Sequence, residues 1–467
     1  MFTRLSLRLR IFLFFCLLAV GAAALAAGAL AFGWSRAEEV LPTAPFVTAF
    51  IFFAFLNTGL ALGIWLLFDE NVAKPIDTLS ANLRLRAHSG VDNALDAECA
   101  KYLGDLAPAA QALSQTVSGS VMDTAEKVAR ETQRLRSESE RLTALLTEIP
   151  IATILLNPAR EIVLYDGQAA GVLSEIAVPR LKAPLGDYFD LYTLDAAIAN
   201  LSDSAPEAEL TLSDRKGEQT YKARIKALGG DGHMVFIDAQ SAHAQPRPLV
   251  FDFDLMNTAE VTQIADTPLD ALCYVAFDTE TTGLSVTEDA IIQIGAVRIL
   301  NGRLVEGEEL DTYVFPGRPI PPASTRIHHI TDADVAAAPD LRAAGRALHH
   351  FSRDAVLVAH NAPFDIGLLK QAQTEMEVDW SHPVLDTVLL SAVVFGTTAE
   401  HSLDALCARL DVTIPEDARH TALGDAKATG AALVKLLPLL KGKGFRTFGD
   451  LIKETQKHGR LLEDLND

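Results

Sequence analysis

The sequence predicts a multidomain chain: an N-terminal pair of membrane-length helices, a helical stalk, and two separate α/β units. Three observations point there. Mean hydropathy is positive, +0.19, although 22% of the residues are charged, and the apolar excess lies in two runs near the N-terminus. A heptad stripe follows. Beyond residue 145, short strand-like apolar runs alternate with helical text around turns rich in Pro and Gly. At 467 residues the chain exceeds one ordinary domain.

Residues Ile11–Trp34 form an almost charge-free run, enough to cross a bilayer as a helix. A polar break with Arg36, Glu38 and Glu39 leads into a second run, Phe46–Phe68. A cleaved signal peptide would have a shorter apolar core and no second span behind it, so a retained hairpin, residues 1–70, is expected. Arg4, Arg8 and Arg10 precede it, and Lys74, Arg84 and Arg86 follow. The positive-inside rule then puts both termini, and everything after the hairpin, on the cytoplasmic side of the inner membrane.

The segment from Asn71, with Lys74-Pro75-Ile76 and then Leu79 and Leu83, resembles a HAMP linker; a plain juxtamembrane helix is the alternative. From Val121, the residues Val128, Leu135 and Leu142 recur every seven positions. That stripe reads either as a parallel dimer stalk, which is preferred, or as one amphipathic helix packed on a neighbour. HAMP-like segment and stalk together occupy 71–144.

Residues 145–240 read as an α/β unit. Ile151–Leu156 and Glu161–Tyr165 are expected as strands joined by a turn at Asn157-Pro158-Ala159-Arg160, then helical text, then strands at Glu207–Leu212, Thr220–Leu228 and His233–Asp238. This order resembles a PAS domain, which implies a sensing or dimerising module, and hence a homodimer through stalk and module. Residues 241–270 are expected to be a linker.

The chemistry lies in 271–440. Cys273–Asp278 is a buried-strand text ending in an acid and running into Thr279-Glu280-Thr281-Thr282-Gly283. Residues two apart in a strand share a side, so Asp278 and Glu280 project together, a pairing suited to hard divalent cations. Ile291–Leu300 and Glu309–Phe315 are expected as the next two strands, antiparallel. Val356–Ala359 then runs into His360-Asn361-Ala362-Pro363-Phe364-Asp365, which puts Asp365 in the first turn of a helix. His420 and Asp425 stand at the head of a last helix, continuing to about Leu439. Singly, each motif has a bland explanation: a solvated surface pair, a charged helix start, a capping histidine.

Together, in this order, they resemble the three motifs of the DEDDh (DnaQ-like) 3′→5′ exonuclease family. Ile327-His328-His329-Ile330-Thr331 falls where that family carries an Ile-His-Gly-Ile-like segment, with His329 in the glycine's place. The resemblance implies an RNase H-like fold with a mixed five-stranded sheet. It implies two divalent cations, Mg²⁺ or Mn²⁺, held by Asp278, Glu280, Asp365 and Asp425. His420 would be the general base; imidazole, which titrates near neutrality, suits that task. Thr281, His328 and Asn361 match positions near the terminal nucleotide, and the partner implied is a single-stranded 3′ end.

Charge limits the substrate class. The net charge is −21, and residues 251–467 hold 33 acids against 18 bases, a poor surface for long duplexes. Lys441, Lys443, Arg446, Lys453, Lys457 and Arg460 crowd the helical tail, 441–467; a solvated helix face is preferred over a nucleic-acid arm. Two other functions stay open: a signalling scaffold whose nuclease fold only binds nucleic acid, and a polymerase proofreading subunit.

Overall fold

The computed structural model describes residues 7–36, 42–89, 151–202, 205–228, 232–238, 248–257 and 263–466. The heptads of the expected stalk, most of the HAMP-like segment beyond Ser89, and the first part of the expected linker lie outside the described residues. The chain divides into two compact units, Met1–Asp123 and Thr124–Asp467.

In the first unit, α1 (Leu7–Ser35) and α2 (Ala44–Phe68) are long and apolar enough to cross a membrane. Their side chains face outward, as at Phe14, Leu25 and Phe55. Few polar groups join them. Asn57 Nδ2 donates to Ala19 O at 2.9 Å, and Phe12 meets Trp65 edge to face. Arg8 grips Asp69 through two hydrogen bonds, at 2.7 and 2.6 Å. Past Phe68 the helix runs through a π-turn, Asp69–Ala73, into α3 (Lys74–Ser89).

In the second unit the first sheet is antiparallel throughout. Its strands are β1 (Ile151–Leu156), β2 (Ile162–Tyr165), β3 (Glu207–Ser213), β4 (Thr220–Ala227), β5 (His233–Asp238) and β6 (Val250–Phe251), ordered β3-β4-β5-β1-β2-β6. Helices α4 (Gly167–Ile176) and α5 (Tyr192–Ala199) pack on it. Strand β6 revises the expected linker: Leu164 and Tyr165 pair with Phe251 and Val250, and Leu255 is buried. Residues 248–257 therefore complete the module, because Val250 and Leu255 have apolar surface to bury.

The second sheet is mixed and five-stranded, as expected. Its strands are β7 (Tyr274–Thr281), β8 (Ile291–Leu300), β9 (Arg303–Tyr313), β10 (Val356–Ala359) and β11 (Val384–Asp386), in the order β11-β10-β7-β8-β9. Strands β10 and β11 run parallel to β7, while β8 and β9 are antiparallel neighbours. The third strand begins at Arg303, earlier than the expected 309. Asn301 and Gly302 take left-handed φ values of 49° and 68°, a tight hairpin turn that feeds β9 directly. Around the sheet lie α6 (Pro322–His328), α7 (Asp332–Val335), α8 (Leu341–Phe351), α9 (Ala362–Met376), α10 (Thr387–Phe395), α11 (Leu403–Leu410), α12 (Ala422–Gly442) and α13 (Phe448–Thr455).

One buried apolar cluster runs through both sheets, and a polar seam joins them. Arg298 of β8 and Glu308 of β9 pair at 2.9 Å, both fully buried. Between them they satisfy one peptide of the first module: the Leu181 N–H donates to Glu308, and Arg298 donates to Leu181 O. Tyr165 also donates to Glu308, at 3.1 Å. Asp187 is shared by Arg180 of its own module and Arg353 beyond α8, at 2.5 and 2.6 Å. Buried charges are tolerated when paired, and here Arg298 pairs with Glu308 and Arg180 with Asp187.

Candidate active site

Strand β7 carries Asp278 and Glu280 on one side of the sheet, where they face across the ladder to Gly295 and Gln293 of β8. Helix α12 crosses at this point, and Gly295 permits it. A Cβ on Gly295 would stand 2.1 Å from Ala422 C and Leu423 N, so only glycine lets the helix start touch the strand. Gln293 fixes the contact: its Oε1 accepts from the Ala422 N–H at 3.2 Å, while its Nε2 donates to Asp311 at 2.8 Å. The turn before the helix is equally close. Thr421 caps α12 through the Gly424 N–H at 3.1 Å, and a Cβ on Gly424 would strike Ala418 O.

The consequence is a carboxylate cluster. Oxygens of Asp278, Glu280 and Asp425 all lie within 4.8 Å of one another. Burial pushes the Asp278 carboxyl well above its ordinary range, and the charges of Asp365, Glu280 and Asp425 add to this. Glu280 rises to about 8 through burial, then through Asp425 and Asp365. Asp425 rises through burial, partly opposed by His420. The three half-buried carboxylates repel one another, and His420 and Arg419 offset this only in part, at Asp425. The all-oxygen donor set fits hard divalent cations, and the expected ligands therefore fit the expected group.

Asp365 stands outside that tight group. It is buried, in the first turn of α9, and its Oδ1 accepts from Thr279 Oγ1 at 2.6 Å. Burial raises it to about 7, and its charge is felt at both Asp278 and Glu280. Asp386, unremarked in the sequence, anchors the start of α9. Its carboxylate accepts from the Ala362 N–H at 2.6 Å and from the Val388 N–H at 2.7 Å, so one side chain serves two helix starts. The signals for these missed residues were a glycine and a glutamine inside a mostly apolar strand, and an acid directly before a helical run.

His420 is exposed, with a left-handed φ of 57°, just ahead of the Thr421 cap. It lines a cleft of about 720 Å³ shared with Gln293, Tyr313, His328, His329 and Arg419. His328 is buried; its Nδ1 accepts from the Ile330 N–H at 3.0 Å, which leaves Nε2 to carry the proton of the neutral ring. His329, the residue in the glycine's place, keeps a left-handed φ of 61° as the C-cap of α6. Asn361 is exposed, also left-handed, and its side chain caps nothing at the head of α9. Thr281 is buried and donates to Gly283 O. The following turn is held by Asp289, which accepts from Thr282 Oγ1 and the Ser285 N–H at 2.8 and 2.9 Å.

Comparison with known proteins gives the same domain. The RNase_T exonuclease family model matches residues 275–433. A DNA polymerase III subunit epsilon-like protein of Rhodobacter capsulatus is 32% identical, and the match covers 99% of both chains. The PolC-type DNA polymerase III of Bacillus subtilis is 34% identical over 38% of this chain, which spans only 12% of that protein. Among solved structures, exonuclease X in complex with 5′ overhanging duplex DNA shares 28% identity at a TM-score of 0.32, covering 39% of this chain and 99% of that one. Exonuclease I shares 19% at a TM-score of 0.34, covering 42% and 46%. With the matched domain framing the carboxylate cluster, the C-terminal domain is a 3′→5′ exonuclease, and the chain belongs to the family of DNA polymerase III subunit epsilon-like proteins.

Proposed function

We propose that this protein is a membrane-tethered exonuclease that removes nucleotides from the 3′ end of single-stranded DNA or RNA at the inner face of the cytoplasmic membrane. The observation that carries the catalytic reading is the meeting of Asp278, Glu280 and Asp425 within 4.8 Å. These residues, with Asp365 behind them, would hold two divalent cations, Mg²⁺ or Mn²⁺. When bound, such ions supply charge neutralisation and Lewis acidity for in-line phosphoryl displacement. His420, exposed on the cleft wall beside Asp425, takes the proton of the attacking water. His328, buried in the cleft wall with its Nε2 turned inward, would shape the pocket for the terminal nucleotide, and Asn361 offers an exposed amide at the head of α9. The hydroxyl of Thr281 is engaged with Gly283, so its part is to shape the turn under the terminal nucleotide.

Two apolar helices of spanning length support the tether, and the arginines and lysines flanking them support cytoplasmic termini. The antiparallel sheet with two packed helices supports a PAS-like module over 145–240, completed by 248–257, with a regulatory or dimerising role. The name of the R. capsulatus relative favours a second reading, a polymerase-associated nuclease, for which co-purification with a polymerase is the test.

The full chain in detergent should shorten 5′-labelled single-stranded oligomers when Mg²⁺ or Mn²⁺ is present, and Asp278→Ala should stop it. DNA and RNA of one sequence, run side by side, identify the substrate. An inert wild-type chain that still binds both would sink the catalytic reading in favour of a binding scaffold.

A further inference from the structure

The cleft that holds His420 carries a second exposed imidazole, on a different element. His329 ends α6 with φ 61°, a backbone that glycine takes freely and that a residue with a Cβ takes under strain. Its N–H closes the helix onto Thr325 O at 2.8 Å, a bond any residue type would make. The side chain is exposed, outside the core and without a hydrogen-bond partner among the described residues. Folding thus gives no reason for an imidazole there, and glycine would relieve the strain. Among the described non-glycine residues with left-handed φ, both His329 and His420 line this one cleft.

The surroundings indicate what it would bind. The same cleft is lined by Asp334, Glu416 and Asp417, in a chain of net charge −21. An anionic strand entering it needs local donors. Arg419 is engaged by Asp404, whereas the His329 side chain has no hydrogen-bond or ion-pair partner among the described residues. We propose that His329 is a substrate-contacting residue that donates an imidazole N–H to a phosphodiester oxygen of the strand bound in this cleft. The inference rests on the exonuclease reading of the site.

The test is binding of a 5′-fluorescein single-stranded DNA decamer to the full chain, read by anisotropy with Ca²⁺ replacing Mg²⁺, together with steady-state hydrolysis in Mg²⁺. His329→Gly keeps the left-handed backbone and removes only the ring; His329→Asn tolerates the same backbone and keeps an N–H donor. His329→Gly should weaken binding about ten- to a hundredfold, the loss of one hydrogen bond to a charged group. It should raise KM in step, leave kcat within about twofold, and leave the melting temperature unchanged or higher. His329→Asn should recover part of the affinity. Equal binding by wild type and His329→Gly, or no binding by wild type, overturns the proposal. A wild-type chain that binds, weakens with His329→Gly and hydrolyses nothing would instead overturn the exonuclease reading and leave the contact standing.

Discussion

Gly295→Ala puts a methyl group where helix α12 crosses strand β8. The added Cβ would stand 2.1 Å from Ala422 C and Leu423 N and 2.4 Å from Ala422 O. All three are backbone atoms, so no side chain can swing aside. Ordinary carbon contacts need about 3.5 Å, and the head of α12 must therefore withdraw by roughly 1.4 Å. That displacement carries Asp425 away from Asp278 and Glu280, and shifts His420 on the preceding turn. Overpacking at one site costs about 1–3 kcal/mol of stability, so the chain should stay folded. A misplacement near 1 Å in a catalytic group costs about 100-fold in rate. The assay is hydrolysis of a labelled single strand by the full chain in Mg²⁺, with the melting temperature measured alongside. Gly171→Ala, in helix α4 where a Cβ meets nothing within 4 Å, is the control and should be fully active. Activity of Gly295→Ala within threefold of wild type would refute the claim that this glycine sets the position of Asp425.

Glu308→Gln keeps the shape and the acceptor for the Leu181 N–H but leaves Arg298 buried without its countercharge. Unfolding free energy should fall by about 3–5 kcal/mol, and an unchanged denaturation midpoint would speak against the seam. Asp386→Ala removes the acceptor for two helix starts; about 2 kcal/mol of stability and a clear fraction of kcat should go with it, whereas normal kcat would detach Asp386 from the placing of Asp365. His350 of α8, whose ring meets Tyr188 of the first module edge to face, is pushed down to about 4 by burial against an ordinary value of about 6.5. The unfolded chain then binds the proton more readily, so stability present above pH 6.5 drains away as the pH falls toward 4; His350→Gln should flatten that slope in melts at pH 7 and pH 5. Chelation should abolish hydrolysis, and adding Mn²⁺ back should restore it and raise the melting temperature, since the ion binds only the folded cluster.

The strands that position the site were legible because their patterns are local. Ile151–Leu156, His233–Asp238 and Ile291–Leu300 occur at the expected bounds, since an apolar run between turn residues states its own limits. The first half of β9 was missed because Arg303–Glu308 sets only Leu304 and Val305 among three charges and a glycine, and its strand character comes from pairing to β8 across the Asn301-Gly302 turn. The membership of 248–257 in the first sheet was likewise invisible, because a two-residue strand is specified by its neighbour. Asp278, Glu280 and Asp425 were identified by type and spacing, and the structure brings them together. What the spacing withheld was the mechanism of approach: Gly295 and Gln293 act through contacts with residues 127 and more positions away. Nothing in the sequence marks Arg298 and Glu308 as a buried pair. Only the folded chain shows them covered by Leu181 of the other module.

The central claim is that the Asp278–Glu280–Asp425 cluster cuts from the 3′ end. The most direct measurement follows one single-stranded oligomer carrying a 5′ label and, in a second sample, a 3′-terminal label, with the full chain and Mg²⁺. The account predicts a ladder of 5′-labelled products shortening one nucleotide at a time, immediate release of the 3′ label as a mononucleotide, and neither with Asp278→Asn. Shortening from the 5′ end, a single internal cut, or undiminished hydrolysis by Asp278→Asn would contradict it.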